Sequence, residues 1–144
     1  MKKTLILAFM LIVLLGVLTV GGLGYYWYTK PIEWGLAAQM SNIPAERRVE
    51  ILKECQRIGM SDEVLGKVVR ELDMQAELGA TSEAEAIEKL RQRVIIREHG
   101  NTVGFLVKGI RGDKAHLAEI AKKIYVHTMG IPEAATMDTE KKSF

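Results

Sequence analysis

Arg97, Lys108, Arg111 and Lys114 are the residues whose type and spacing come closest to a binding chemistry in this sequence. They flank a predicted β-hairpin, and cations gathered near one end of it would meet an anionic glycan or a lipid headgroup. The plainer reading is a solvated face, partly balanced by Glu98 and Asp113. No catalytic signature accompanies them. The chain contains no G-x-x-x-x-G-K-[ST], no H-E-x-x-H and no G-x-S-x-G, and a single cysteine cannot supply a paired-cysteine metal site. His99 falls at the hairpin corner on the solvent side, where polar turn packing explains it. His116 and His127 share the polar side of the last predicted helix with Glu119 and Lys123. About three turns separate them, too far for one metal ion. Neither a metal nor a cofactor is implied, and the chain reads as non-enzymatic.

The elements that must carry these residues lie between Ser82 and Met129. Ser82 followed by Glu85 is a capping box, and Ala84, Ile87 and Leu90 supply an apolar helix face that runs into the β-branched Val94, Ile95 and Ile96. Gly100-Asn101 then reverses the chain. A two-residue loop with Gly first suits a type II′ turn, which pairs His99 with Thr102, Ile96 with Phe105 and Val94 with Val107. In that register Val94, Ile96, Val103, Phe105 and Val107 share one face. Arg97, His99, Thr102 and Lys108 fall on the other, with Ile95 and Leu106. Asp113 is placed to cap the last helix, whose stripe Leu117, Ile120, Ala121 and Ile124 reads as core. Arg111-Gly112-Asp113 spells a cell-adhesion tripeptide, but a loop and a helix cap account for it.

This block resembles the extracytoplasmic domain of bacterial polysaccharide chain-length determinants, the co-polymerases of surface-glycan assembly, which are related to the membrane parts of bacterial tyrosine kinases. In that family a helix leads into strand, turn and strand, and then a helix opening D-P-x-x-A-x-x-I-A-N. Asp113, Ile120 and Ala121 stand at matching positions, while Lys114, Leu117 and Lys122 replace the Pro, the first Ala and the Asn. With weaker similarities upstream the resemblance covers residues 31–129. It implies an α+β fold, self-association, and a role in setting glycan length or organising glycan polymerase or export proteins. A full family member returns to the membrane through a second apolar segment, so this chain is expected to be a reduced form or an accessory subunit. The runner-up is a generic membrane-tethered interaction module of an envelope or secretion complex that shares only the small α+β fold.

Of the 144 residues, the first 29 read as a transmembrane anchor. Lys2 and Lys3 precede an uncharged run from Thr4 to Gly24, long enough at about 1.5 Å per residue to cross a bilayer core. Tyr25, Tyr26, Trp27 and Tyr28 follow as an interfacial aromatic belt, and Lys30-Pro31 closes the helix. A cleaved signal peptide is the competing reading, because Gly22-Leu23-Gly24 offers small residues at the right spacing. Lys2 and Lys3 would hold the N-terminus inside, giving a single-pass protein of the cytoplasmic (inner) membrane with its domain outside the cytoplasm. These two lysines also account for the formal net charge of +2. The remainder is neutral, which argues against nucleic acid as a partner.

From Ile32 to Met40 apolar and polar or small residues alternate with the period of a strand. Pro44 opens a helix that stops at Gly59, and it carries Cys55 on its apolar side, a buried structural thiol. Ser61 starts a second helix with Val64, Leu65, Val68, Val69 and Leu72 as its stripe. Residues 74–81 read as a connection bent at Gly79. The expected order is membrane helix, β, α, α, α, β, β, α. This makes an α+β domain over residues 30–130, a small sheet with helices on one face and the first strand joined to the hairpin. Residues 131–144 form a polar tail with too few apolar residues to pack, expected to be disordered.

Overall fold

The computed structural model describes residues 2–40 and 43–130. Helix α1 (Lys2–Thr29) contains the window Met10–Thr29, 20 residues long and apolar enough to cross a membrane, none of it buried. A single residue, Lys30, separates it from strand β1 (Pro31–Gln39). The hairpin of β2 (Val94–His99) and β3 (Thr102–Ile110) takes β1 on its other side, giving a three-stranded antiparallel sheet of order β1-β3-β2. The molecule is therefore α+β.

Turn chemistry sets the hairpin register. Gly100 has φ of 59° while Asn101 keeps a negative φ, as a type II′ turn requires. Val94 pairs with Val107, Ile96 with Phe105 and His99 with Thr102. Because side chains alternate along a strand, that register turns Val94, Ile96, Val103, Phe105 and Val107 into the core together. Strand β1 pairs with β3 from Pro31 opposite Ile110 to Gln39 opposite Thr102.

Helices cover one face of the sheet. Helix α6 (Lys114–Met129) lies on β1 and β3, and its Leu117, Ile120, Ala121 and Ile124 meet the strand side chains in one core. Phe105, 1% exposed, packs edge-on against the Tyr125 ring at 5.3 Å between centroids. Burying a side chain of this size contributes roughly 1.5–3 kcal/mol. At Gly35 the backbone of β1 comes so close that a Cβ would stand 1.9 Å from the Phe105 carbonyl oxygen and 3.0 Å from the Ala121 Cβ. Only glycine fits there.

Helix α2 (Ala45–Gly59) begins after Pro44, which occupies the N-cap position rather than the first turn. Its Cys55 is buried, and burial, helped by the charge of Glu54, raises the thiol's pKa. Ser61 caps α3 (Asp62–Glu71), its hydroxyl accepting from the Val64 N–H at 3.3 Å. Four of the five expected apolar residues of α3 are buried, with Leu72 only partly so.

Three local expectations are corrected. The connection 74–81 contains a helical turn, α4 (Met74–Glu77), reached through Asp73 at a φ of 48°, and it buries Met74 and Leu78. On α5 (Glu83–Arg93) the inward residues are Ala86 and Leu90, with Ile87 half-buried, whereas Ala84 is exposed. A four-residue step, from 86 to 90, keeps closer to the helix period than two three-residue steps. Ser82 does accept from the Glu85 N–H at 3.2 Å, but the Glu85 carboxylate reaches one residue further back, to the N–H and hydroxyl of Thr81 at 2.7 and 2.8 Å. Helix α6 stops at Gly130, where φ is 63°, the first residue of the stop expected at Gly130-Ile131-Pro132; Ile131, Pro132 and the polar tail lie outside the described residues.

Candidate functional site

The junction of α1 with the sheet is where charged and aromatic side chains converge. Pairing of β1 with β3 brings Pro31 opposite Ile110, and the Arg111 N–H then donates to the Lys30 carbonyl at 3.0 Å. Residues Arg111–Asp113 follow as one 3-10 turn leading into α6. Asp113 occupies the N-cap position of α6 but makes no side-chain capping hydrogen bond, because the 3-10 turn already delivers the chain into the helix. The turn lies against the end of α1. A Cβ on Gly112 would stand 2.0 Å from the Tyr28 Cζ, so the ring rests on the glycine backbone.

Two of the expected basic residues meet here, each on an aromatic ring. The Arg111 guanidinium sits 4.4 Å from the centroid of Trp27, and the Lys114 ammonium 3.5 Å from that of Trp34. Such contacts contribute about 0.5–1 kcal/mol when exposed and more when dry. These are the two tryptophans of the chain. Lys30 is part of the same junction. Among the described residues, none of Lys30, Lys108, Arg111 and Lys114 forms an ion pair, whereas several cations on the helices do. Lys67 pairs with Glu63 at 2.8 Å, Lys89 with Glu85 at 2.7 Å and Lys123 with Glu71 at 3.2 Å. Arg91 bridges Asp62 and Glu88, and Arg70 holds Glu83.

Lys108 and Arg97 lie on the sheet face away from the helices. Lys108 is exposed, opposite Glu33 in the register. Arg97 stands opposite Gly104, nearer the hairpin turn, and reaches Glu33 at 3.1 Å. Both partners of that pair are substantially exposed, so it stabilises by at most about 1 kcal/mol. Beneath it is a shallow cavity of about 100 Å³ lined by Glu33, Trp34, Gly35, Arg97, His99, Gly104 and Leu106. Thus Arg111 and Lys114 come together at the junction, Lys108 lies beyond on β3, and Arg97 is drawn to Glu33.

The histidines of α6 tie that helix to its neighbours. His116 Nε2 lies 2.7 Å from a Glu77 carboxylate oxygen. His127 Nε2 lies 2.9 Å from a Glu71 carboxylate oxygen, off ideal hydrogen-bond geometry. Burial pushes the Glu71 carboxyl up, but His127 and Lys123 outweigh it and hold the pKa below its ordinary value. Among the described residues no group of three or more His, Cys, Asp or Glu is arranged to hold a metal ion.

Arg111 and Lys114 are legible in the sequence, whereas Lys30, Trp27 and Trp34 as their neighbours are not. The signal was present in the expectation that the first strand joins the hairpin, since an antiparallel ladder beginning at Pro31 must end β3 beside the aromatic end of α1. No family model, no curated protein and no solved structure matches this chain.

Proposed function

We propose that this chain is a non-enzymatic, membrane-anchored protein of bacterial surface-polysaccharide assembly, which sets glycan length or organises a polymerase or export complex. Its α+β domain stands outside the cytoplasm, seated directly on the cytoplasmic membrane, and it self-associates there. The observation that carries the anchoring is the continuity of α1 with β1 across the single residue Lys30, closed by the Arg111 to Lys30 hydrogen bond. A cleaved leader has no reason to pack its last aromatic residues against the domain it leaves. The polysaccharide role rests on the resemblance of Ser82–Met129 to the chain-length determinants.

Deleting the gene and running the surface glycan on a gel tests the role. A changed length distribution, restored by the full chain, is expected; an unchanged ladder from cells shown to express the protein removes the polysaccharide reading. That result would leave a tethered interaction module of another envelope complex, a reading favoured by the uncovered sheet face and its cavity. N-terminal sequencing of the mature protein tests the anchor, since a chain starting at Tyr25 would sink it.

A further inference from the structure

We propose that the junction of α1 with the sheet is a binding site for the phosphate of an anionic phospholipid headgroup, held between Arg111 and Lys114 with Lys30 beside them. The inference rests on the membrane-anchored reading above and deepens it by naming what the anchored domain touches.

Three observations carry it. First, Arg111 and Lys114 are held in place by rings rather than by carboxylates, at 4.4 and 3.5 Å from the Trp27 and Trp34 centroids. An aromatic face attracts a cation through its quadrupole but accepts few of its hydrogen bonds, so N–H donors remain for a phosphate oxygen. Second, the nearest acid in sequence, Asp113, forms no ion pair with either, and among the described residues neither cation has a carboxylate within 4.0 Å. Arg57, Lys67, Arg70, Lys89, Arg91 and Lys123 on the helices each have one. Third, the depth fits. Trp27 belongs to the Tyr25–Tyr28 belt that ends α1, and tryptophan and tyrosine in such belts lie at headgroup level. Arg111, on the belt ring Trp27, is therefore fixed at the height of the lipid phosphates, with Lys114 following three residues later on the sheet side, which favours a lipid over a free glycan. Lys30, between α1 and β1, adds charge at the same height.

The test uses the full chain in nanodiscs containing phosphatidylglycerol and phosphatidylcholine, with co-purified lipid read by native mass spectrometry. A cation near a bilayer surface favours anionic lipid by about fivefold, so wild type should retain phosphatidylglycerol selectively. Arg111→Gln with Lys114→Gln should reduce that selection by about 25-fold. Arg111→Lys with Lys114→Arg keeps both charges and should preserve it, which separates loss of the site from loss of the fold. Arg47→Gln with Lys53→Gln, on α2, should also leave it unchanged. Equal retention of the two lipids by wild type, or equal loss in the α2 control, would overturn the proposal. So would displacement of the bound lipid by inorganic phosphate alone or by an alginate oligosaccharide, which would reassign the site to a free anion or to an acidic glycan. An unchanged glycan ladder with lipid selection intact removes the polysaccharide role and leaves this site standing.

Discussion

Helix α6 crosses the sheet through apolar side chains, whereas α1 touches the end of the same sheet through rings and cations. At the first contact Phe105, Ala121, Ile120 and Ile124 are almost wholly buried, and Gly35 lets two backbones and a helix approach one another. At the second, Tyr28 is 51% exposed and Trp27 is 59% exposed, yet Gly112 and Arg111 meet their rings. Burial of apolar area is the larger energy, so the seam under α6 holds the fold together. The α1 junction adds little to stability and much to orientation. Substitutions at the two places should therefore separate unfolding from repositioning.

Phe105→Ala should produce the largest effect, a loss of about 3–5 kcal/mol in urea unfolding followed by circular dichroism. A loss under about 1 kcal/mol would mean that the seam is not what holds α6 to the sheet. Next comes Gly35→Ala, where the colliding atom is a backbone oxygen that cannot swing away, and about 1–3 kcal/mol should be lost. Gly112→Ala brings a Cβ equally close to a neighbour, but that neighbour is an exposed ring. Its cost should stay below about 1 kcal/mol. The change should appear instead in Trp27 emission, read in a Trp34→Phe background. If Gly112→Ala destabilised as much as Gly35→Ala, the distinction between the two contacts would fail. Arg111→Ala should cost about 0.5–1 kcal/mol at most and likewise alter Trp27 emission.

The smallest effect expected is a pH response confined to the helical side. Lys89, then the N–H and hydroxyl of Thr81, hold the Glu85 pKa at about 2, below its ordinary 4.5. A depressed carboxylate contributes stability that is present above 4.5 and is lost as pH falls through about 2. The Thr81 amide resonance should titrate with a midpoint near 2, and one near 4.5 would show that the Glu85 contact does not form in solution. Glu71, also lowered, should weaken its hold on His127 and Lys123 in the same direction. Trp27 emission should stay flat over this range, because no carboxylate pairs with Arg111 among the described residues.

What the sequence made legible was local chemistry with a strong period or a strong turn. Gly100-Asn101 specified the hairpin register, the alternation from Ile32 specified β1, and Ser61 and Ser82 marked helix starts. The single turn of α4 escaped because four residues show no period, and because Asp73 in the left-handed region gives no distinctive signal. Within the candidate site, Arg111 and Lys114 were readable as cations near a hairpin end. Their rings were not, since Trp27 and Trp34 lie far away in sequence and are brought close only by the pairing of β1 with β3. Arg97 is expected with them near one end of the hairpin, but the register takes it toward the turn and Glu33 takes its charge.

The one-residue link at Lys30 has a mechanical consequence. A tether needs several soft residues to let a domain swivel, whereas this one spans about 3.5 Å and is closed by a hydrogen bond from Arg111. Rod and sheet must turn together. Strand β1 is nine residues long, so the hairpin turn lies roughly 30 Å from the pivot, and a tilt of α1 sweeps it through an arc. With α1 spanning a bilayer as proposed above, a change in bilayer thickness that alters its tilt would be converted, without any hinge, into displacement of the far end of the domain.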